Sequence, residues 1–377
     1  RAAGLPVLVV GDIDRGGVFA SLFGTLALLD KDDQALVAGW VINRFRGDRR
    51  LLDPGLRQLE GLTGRPVYGV VPWTPGLWLD VEDSLDLASY PDHPAADHGD
   101  LLGGDLLAGA PAADPASAPV GEPLRVAVVR LPRLSNVTDL DALRAEPGVQ
   151  VRLVTRPDEL AGADLVVLPG TRATVADLVW MRRSGLAGAV VAHAAAGLPV
   201  LGICGGYQML GTRIVDEVES RAGEVAGLGL LPVTTRFARD KLLGRRTGTT
   251  DDGHTVTGYE IRHGRLSVDD IGPAIGNRGG AMAEPFAADG VRVGAVCGTS
   301  WHGLLENDAF RVAFLEEVAS AAGRSFRPVG VSFAQVRARR LDVLGDLVAD
   351  HLDTAAVRAL LEGGAPAGLP FVPPGAP

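Results

Sequence analysis

Uninterrupted apolar runs that alternate with helical segments constrain the fold of this chain more than any other feature of its sequence. In its first part, the runs Leu5–Val10, Val37–Ile42 and Val67–Val71 are separated by the helical patterns Val18–Leu29 and Pro54–Leu62. Strands that are apolar on both faces are typical of parallel sheets, which helices cover on each side. Because the same alternation returns from residue 125 onward, we predict an α/β protein with two lobes.

A change of composition separates the two lobes. Residues 91–122 are rich in Gly, Ala and Pro and show no sustained period, which is typical of a flexible linker. We therefore predict one lobe at 1–90, a second at 123–320, and a helical extension with a tail at 321–377. The Pro/Gly-rich tail, GLPFVPPGAP, is expected to be disordered, and the basic stretch Arg236–Arg246 is expected to form a surface loop. The elements predicted beyond the linker are the strands Arg125–Val129, Val151–Val154, Leu165–Leu168, Pro199–Ile203, Gly258–Ile261 and Val291–Val296, and the helices Thr174–Met181, Leu186–Ala195 and Phe333–Leu352.

Charge and cysteine content narrow the class of protein. The net charge of -10 disfavours a general nucleic-acid binder, whose phosphate contacts require a basic face. Two cysteines provide no disulfide framework, so we expect a reduced, cytoplasmic compartment. No apolar run approaches the roughly 18 residues that a membrane-spanning helix requires. Because the chain starts at Arg1 and enters a strand within a few residues, we expect further sequence upstream.

The segment LPVLGICGGYQMLG, residues 198–211, predicts a cysteine nucleophile. An apolar strand runs into Gly-x-Cys-x-Gly and a helix follows, which is the cysteine form of the strand–turn–helix elbow. Side chains at Gly202 and Gly206 would collide with the backbone of such a turn, and the helix N-terminus favours the thiolate of Cys204. A lone cysteine is usually a small buried hydrophobe, but the flanking glycines favour a nucleophile here. Cys297 lacks that context and is assigned to the core.

Acyl transfer by Cys204 also requires a base and an oxyanion hole. His302, in GTSWHGLLEND, follows the predicted strand Val291–Val296, and parallel-sheet enzymes place catalytic groups at strand ends. The predicted oxyanion donors are the backbone N–H groups of Gly205, next to the nucleophile, and of Gly170, in the turn LPGTR. An ordinary strand-to-helix turn is the alternative for Gly170.

The Cys–His pair resembles that of the triad-type glutamine amidotransferases, which hydrolyse glutamine and pass ammonia to a partner site. This resemblance implies that Gln208 helps to bind glutamine. Many members follow the histidine with Pro and Glu, whereas Gly303 and Leu304 follow His302 here. No carboxylate therefore orients the imidazole by that route.

Cobyric acid and cobyrinic acid a,c-diamide synthases also have glycine directly after this histidine. The more specific resemblance is to the cobyric acid synthase family. It rests on segments from both lobes: GDIDRGGVFASLFGTLALL (11–29), INRFRGD (42–48), GLRQLEGLTGRPVYGVVPW (55–73), VEDSLDL (81–87) and LPGTRATVADLVWMR (168–182). The resemblance implies an incomplete P-loop, dethiobiotin-synthetase-like parallel-sheet domain followed by a class I glutamine amidotransferase domain. It also implies amidation of the b, d, e and g carboxylates of a corrinoid, adenosylcobyrinic acid a,c-diamide, with ATP and glutamine.

Two features depart from the family pattern. The phosphate-binding loop G-x-x-x-x-G-K-[ST] occurs nowhere in this chain, and we expect it upstream of residue 1. The family sequence GYEIHMG reads GYEIRHG here, so Arg262 replaces the histidine. We expect an intact glutaminase, with ATP and Mg²⁺ as cofactors of the full-length family and none tightly bound. Two alternatives stay open: a cobyrinic acid a,c-diamide synthase and a non-catalytic glutamine-binding module.

Polar residues follow the predicted strands of the first lobe. By resemblance to the dethiobiotin-synthetase-like fold, Asn43 and Pro72 recognise the nucleotide base; an Asn that ends a strand is the alternative. Asp12 and Asp14 are candidates for Mg²⁺ or substrate, although aspartates are also common in turns. Bidentate arginine contacts suit a polycarboxylate substrate, with a solvated rim as the alternative. The arginines concerned are Arg15, Arg44 and Arg46.

Overall fold

The computed structural model describes residues 1–74, 77, 122–250, 253–269 and 282–374. The chain divides into two compact units, residues 1–78 with 337–377 and residues 79–336. The predicted linker lies outside the described residues except for Glu122, and so does the segment VEDSLDL. Across the described ranges, no helix is both long and apolar enough to cross a membrane.

The first unit is built on a three-stranded parallel sheet with the order β1-β2-β3. Its apolar centre is β2, which is buried from Val37 to Ile42, as expected for a strand covered on both faces. The alternation of strands and helices predicted for this lobe is confirmed, with element ends shifted by a few residues. The elements are β1 (Val7–Asp12), α1 (Val18–Ala27), α2 (Lys31–Gln34), β2 (Val37–Phe45), α3 (Asp53–Thr63) and β3 (Val67–Pro72).

The second unit contains a seven-stranded sheet with the order β12-β13-β14-β7-β6-β4-β5. The five strands from β14 to β5 are parallel, while β12, β13 and β14 pair antiparallel. Every residue of β6 and β7 is buried, as the uninterrupted apolar runs predict. The strands are β4 (Leu124–Val129), β5 (Val149–Val154), β6 (Leu165–Leu168), β7 (Val200–Ile203), β12 (Glu284–Phe286), β13 (Gly290–Val293) and β14 (Val296–Thr299).

Within its described residues, this unit also contains five α-helices and a second sheet. The helices are α4 (Asp141–Arg144), α5 (Thr174–Arg183), α6 (Leu186–Ala195), α7 (Gly205–Leu210) and α8 (Asp308–Ala321). The second sheet has the order β11-β10-β8-β9. Its strands are β8 (Arg213–Asp216), β9 (Gly223–Ala226), β10 (Val233–Thr249) and β11 (Thr255–Val268).

Two predictions for this unit were wrong. The single strand Val291–Val296 is instead a hairpin, because Gly294 takes a positive φ of 57° and turns β13 back onto β14. The basic stretch Arg236–Arg246 is not a loop but part of β10, paired with β11. One face of an antiparallel sheet can be solvated, so its strands can carry charged residues. A prediction based on apolar runs does not find such strands.

The helix α9 (Phe333–His351) is followed by α10 (Thr354–Gly363), and α10 packs onto the sheet of the first unit. Leu360 of α10 joins a buried cluster with Val41 and Tyr68. The tail was predicted to be disordered, but it is ordered as far as residue 374. Val372 is buried, and its backbone N–H and carbonyl bond the side-chain amide of Gln34 at 2.9 and 2.8 Å.

Candidate active site

The predicted nucleophile Cys204 lies on a strained turn between β7 and α7. Its φ of 50° and ψ of -105° place it on the left-handed side, where residues other than glycine are rare. The turn is tight because Gly206 lies against the end of β6. A β-carbon at Gly206 would stand 1.9 Å from the carbonyl oxygen of Leu168. The glycine spacing seen in the sequence is therefore a packing requirement.

His302 is buried three residues beyond the end of β14, and β14 pairs with β7, the strand that leads to Cys204. Its Nδ1 lies 2.6 Å from Oδ2 of Asp139, and Oδ1 of Asp139 accepts the N–H of Gly303 at 2.7 Å. Burial lowers the pKa of His302. The negative charges at Asp139 and Cys204 outweigh burial and raise this pKa well above its ordinary value. The Asp139 contact occupies Nδ1 and leaves Nε2 for the sulfur.

Tyr259 of β11 holds the same imidazole from another side. The two rings stack with their centroids 5.3 Å apart, and the two backbones exchange hydrogen bonds of 3.0 and 2.8 Å. The phenol oxygen accepts a hydrogen bond of 2.7 Å from Nδ2 of Asn136. Sequence reasoning missed Asp139, Asn136 and Tyr259. The signal for Asn136 and Asp139 in the sequence is weak: a polar run, SNVTD, that follows the predicted strand Arg125–Val129.

The two predicted oxyanion donors come together beside these groups. Gly205 faces Thr171, since a β-carbon at Gly205 would lie 3.1 Å from the Thr171 nitrogen. A β-carbon at Gly170 would lie 2.9 Å from Cε1 of His302. Gly205 is the first residue of α7, so its N–H has no acceptor within the helix. The role of Gly170 and Gly205 as oxyanion donors stays a prediction.

A buried carboxylate fixes the turn that carries Gly170. Oδ2 of Asp177, on α5, accepts hydrogen bonds from the Thr171 hydroxyl at 2.5 Å and from the Arg133 N–H at 3.2 Å. Burial raises the pKa of Asp177, and these hydrogen bonds oppose that rise. Asp177 thus joins the loop after β4 to the loop after β6.

Gln208 lies in the wall of the same site. It is buried on α7, and its Oε1 accepts a hydrogen bond of 3.1 Å from the Thr174 hydroxyl. Its Nε2 faces Gly264 of β11, where a β-carbon would stand 2.6 Å away. Its role in glutamine binding stays a prediction.

The candidates of the first unit meet at the carboxyl ends of its three parallel strands. Arg44 lies 3.3 Å from Asp12 and 3.2 Å from Asp14, and Arg46 lies 3.2 Å from Asp14. Arg15 is more exposed, with its Nε 3.9 Å from Asp12. The carboxylates of Asp12 and Asp14 are therefore both paired with guanidinium groups. Across the described residues no group of three or more His, Cys, Asp or Glu is placed to hold a metal ion, and the role of Asp12 and Asp14 toward Mg²⁺ or substrate stays a prediction.

The nucleotide candidates lie at the same edge. Oδ1 of Asn43 accepts the neighbouring Arg44 N–H at 2.9 Å, and Arg44 has a positive φ of 62°. Asn43 thus caps the strained end of β2. Pro72 ends β3, and Trp73 beyond it stacks under the Arg46 guanidinium at 4.1 Å. The role of Asn43 and Pro72 in base recognition stays a prediction.

Comparisons with known proteins match both units. A model of the CobB/CobQ-like glutamine amidotransferase domain matches residues 125–310, and a model of the CobQ/CobB/MinD/ParA nucleotide binding domain matches residues 4–86. A protein of Frankia casuarinae named cobyric acid synthase is 69% identical over 100% of this chain, which covers 70% of that protein. This chain belongs to the cobyric acid synthase family.

Other proteins named cobyric acid synthase are also similar to this chain over its length. Those of Streptomyces avermitilis and Rhodococcus jostii are 57% and 52% identical, over 100% and 99% of this chain and 69% and 68% of their own lengths. A solved glutamine amidotransferase structure matches with a TM-score of 0.42 at 21% identity, covering 52% of this chain and 98% of its own. The predicted α/β class is confirmed, and as a cobyric acid synthase family member the chain is a glutamine amidotransferase of the ligase type.

Proposed function

We propose that this chain hydrolyses glutamine at Cys204 and supplies the ammonia to an ATP-dependent amidation. The observation that carries the proposal is the contact between the buried His302 and Asp139 beside the Cys204 turn. This contact gives the cysteine an oriented base. In this proposal the oxyanion binds to the N–H groups of Gly170, which lies beside His302, and of Gly205, which lies beside Thr171.

The chemistry follows from these groups. The Cys204 thiolate attacks the γ-amide carbon of glutamine, and the negative charge moves to the oxygen, which the two N–H groups stabilise. The C–N bond then breaks as His302 gives its proton to the departing nitrogen, so that ammonia leaves and a thioester forms. Water attacks the thioester with His302 as the base, which releases glutamate and regenerates the thiol.

We infer that the acceptor is adenosylcobyrinic acid a,c-diamide, amidated at its b, d, e and g carboxylates in cobalamin biosynthesis. The names of the relatives support this inference, as does GDIDRGGVFA in the first unit. ATP would convert each carboxylate into an acyl phosphate that ammonia attacks. The match to a nucleotide binding domain supports the use of ATP. The exposed arginines Arg15, Arg44 and Arg46 suit a polycarboxylate.

Glutamate release from glutamine tests the glutaminase step. Wild-type chain is compared with Cys204→Ser, and with Cys297→Ser as a matched control on the neighbouring strand β14. We expect turnover in the wild type and the control and its loss in Cys204→Ser. Turnover in Cys204→Ser equal to that of the wild type would rule out Cys204 as the nucleophile. Absence of turnover in all three chains would leave only a glutamine-binding module.

Adding ATP and a corrinoid in turn tests the acceptor. Stimulation of glutamate release by adenosylcobyrinic acid a,c-diamide favours the four-amidation enzyme. Stimulation by cobyrinic acid instead favours the a,c-diamide synthase. Our hypothesis is that this chain releases glutamate without completing the amidation, and amide formation on the corrinoid by this chain would contradict it.

A further inference from the structure

One short segment, residues 299–301, serves both members of the Cys204–His302 pair. It consists of Thr299, which ends β14, and the two residues that lead from there to His302. The carbonyl oxygen of Thr299 accepts the Cys204 N–H at 2.8 Å. Because the backbone of Cys204 is strained, its surroundings must hold it in place, and this hydrogen bond is one of the contacts that do so. The 299–301 segment therefore bears on the position of the nucleophile as well as on that of the base.

The hydroxyl of Thr299 fixes the shape of this segment. It accepts the Trp301 N–H at 3.0 Å and donates to Oδ1 of Asp289 at 2.6 Å. Oδ2 of the same carboxylate accepts the Ser300 N–H at 3.0 Å. A hydroxyl has a single hydrogen, so its donation to Asp289 leaves the lone pairs for Trp301. Asp289 thus acts directly on Thr299 and Ser300 and, through the hydroxyl, on Trp301.

Burial makes these hydrogen bonds costly to lose. Thr299 is 1% exposed and Ser300 is 2% exposed, so water does not readily replace a missing acceptor. Burial also raises the pKa of Asp289, and the hydrogen bonds from Thr299 and Ser300 oppose that rise. If the carboxylate is removed, we expect the 299–301 segment to rearrange in order to satisfy its donors.

The turn between β12 and β13 brings Asp289 to this position. β13 pairs antiparallel with β14, with Val291 opposite Gly298, so residues before β13 run beside residues after β14. The two strands approach closely, since a β-carbon at Gly290 would stand 2.0 Å from the Gly298 carbonyl oxygen. Phe286, at the end of β12, packs its ring against α8. Asp289 is therefore supported by elements other than the strand and helix that carry the nucleophile.

We propose that Asp289 is a positioning residue for the glutaminase. It holds the 299–301 segment and thereby sets the Cys204 sulfur and the His302 imidazole against each other. This rests on the proposed function. Asp289 acts through the segment and not on the substrate, so its removal is expected to slow the chemical step rather than to weaken glutamine binding.

Steady-state release of glutamate, expressed per folded chain, measures the effect. Asp289→Ala is expected to lower kcat about 10-fold to 100-fold and to leave KM within roughly threefold. Asp289→Asn keeps one side-chain acceptor and is expected to restore part of the rate. Glu284→Gln, at an exposed carboxylate of β12, is the matched control and is expected to stay within roughly twofold of the wild type.

Two substitutions of Thr299 test whether Asp289 acts through the hydroxyl. Thr299→Val keeps the branched shape and removes the hydroxyl, so kcat is expected to fall as it does in Asp289→Ala. Thr299→Ser keeps the hydroxyl and is expected to retain most of the rate. Combining Asp289→Ala with Thr299→Val is expected to lower kcat by no more than about threefold beyond either change alone, because both act on one segment. Multiplied losses would show that Asp289 acts by another route.

Hydrogen exchange, followed by mass spectrometry, tests the positioning without turnover. In Asp289→Ala we expect peptides that cover residues 200–206 and 299–303 to exchange about tenfold faster or more, while a peptide that covers β4 keeps its protection. β4 belongs to the same sheet as β7 and β14. Faster exchange in β4 as well would show a general loss of stability and no specific positioning.

Two further results would overturn the assignment: a kcat in Asp289→Ala equal to that of the wild type, or unchanged exchange in both peptides. Failure of the proposed function has a different signature. In that case the wild-type chain releases no glutamate, whereas Asp289→Ala still exchanges faster in the two peptides alone.

Discussion

Asp139 lies 163 positions before the histidine that it contacts, which explains why the sequence did not point to it. Cys204 is recognisable because strand, glycines and helix are adjacent in the chain, and His302 because a base must accompany it. The carboxylate comes from the loop after β4, and two strands, β6 and β7, lie between β4 and β14 in the sheet. Local patterns do not encode such a contact. The absence of the usual Pro-Glu after the histidine predicted only that the partner lies elsewhere.

Replacing Asp139 with asparagine is expected to lower kcat for glutamate release by roughly 10²–10⁴-fold. The amide keeps the shape of the side chain but does not stabilise the imidazolium, and it permits the wrong tautomer. Because Asp139 is buried against His302 and the Gly303 N–H, KM is expected to stay within roughly threefold. Steady-state kinetics measure both, with the exposed Asp158→Asn as the control. A change in KM alone would show that Asp139 acts on binding instead.

The same contact predicts a pH dependence of stability. The pKa of His302 is higher in the folded chain than its ordinary value of 6.5, so folding takes up a proton. The resulting stabilisation is fully present below that ordinary value and is lost as the pH rises through the folded pKa. Between pH 6.5 and the folded value, we expect the free energy of unfolding to fall by up to about 1.36 kcal/mol per pH unit more than in His302→Gln. Urea unfolding at several pH values measures this difference, and parallel curves for the two chains would contradict it.

At the scale of elements, the buried strands were the most predictable part of the fold. β6 and the helix α6 have the bounds that the sequence predicts, because uninterrupted apolar runs and clear helical periods mark them. Of the β10–β11 hairpin only Gly258–Ile261 was predicted, since the residues of both strands alternate between buried and solvated faces and carry many charges. Tyr259, which stacks on His302, lies on that hairpin. The sequence therefore predicted the strand that carries Tyr259 but not the contact of Tyr259 with His302.

Asp177 connects two elements, and its removal tests how the oxyanion turn is held. In Asp177→Ala the Thr171 hydroxyl and the Arg133 N–H lose their shared acceptor, so the turn that carries Gly170 loosens. An oxyanion donor is worth roughly 10²–10³ in kcat, so a displaced one is expected to reduce kcat about 10-fold to 100-fold with little change in KM. Asp177→Asn retains an acceptor and is expected to restore part of the rate.

The control for Asp177 is Glu217→Ala, at an exposed acidic residue of the same unit. It is expected to leave both kinetic constants unchanged. If Asp177→Ala and Asp177→Asn lose activity only in proportion to the fraction of unfolded chain, the carboxylate stabilises the fold and does not position the oxyanion turn.

At the scale of the whole molecule, each unit encloses its own core, and the first one draws residues from both ends of the chain. Val372 lies in the same buried cluster as α1 and α3. Arg65, which is 1% exposed, donates to the carbonyl oxygens of Gln34, Val37, Thr63 and Pro370. Composition alone suggested disorder for the tail, because prolines and glycines form no periodic element. What orders it is a set of backbone groups that buried side chains of distant residues satisfy.

The Gln34 side chain therefore decides whether the tail contributes to stability. Gln34→Ala removes two buried hydrogen bonds to the Val372 backbone and leaves that N–H and carbonyl without their partner, which costs about 1–3 kcal/mol. We expect a lower midpoint of urea unfolding and earlier proteolytic cleavage of the tail, with Gln58→Ala, at an exposed glutamine of α3, as the matched control. Removing residues 364–377 is expected to produce the same loss and to make the Gln34→Ala effect vanish, because the two changes then act on one interaction. Additive losses would instead show that Gln34 stabilises the unit independently of the tail.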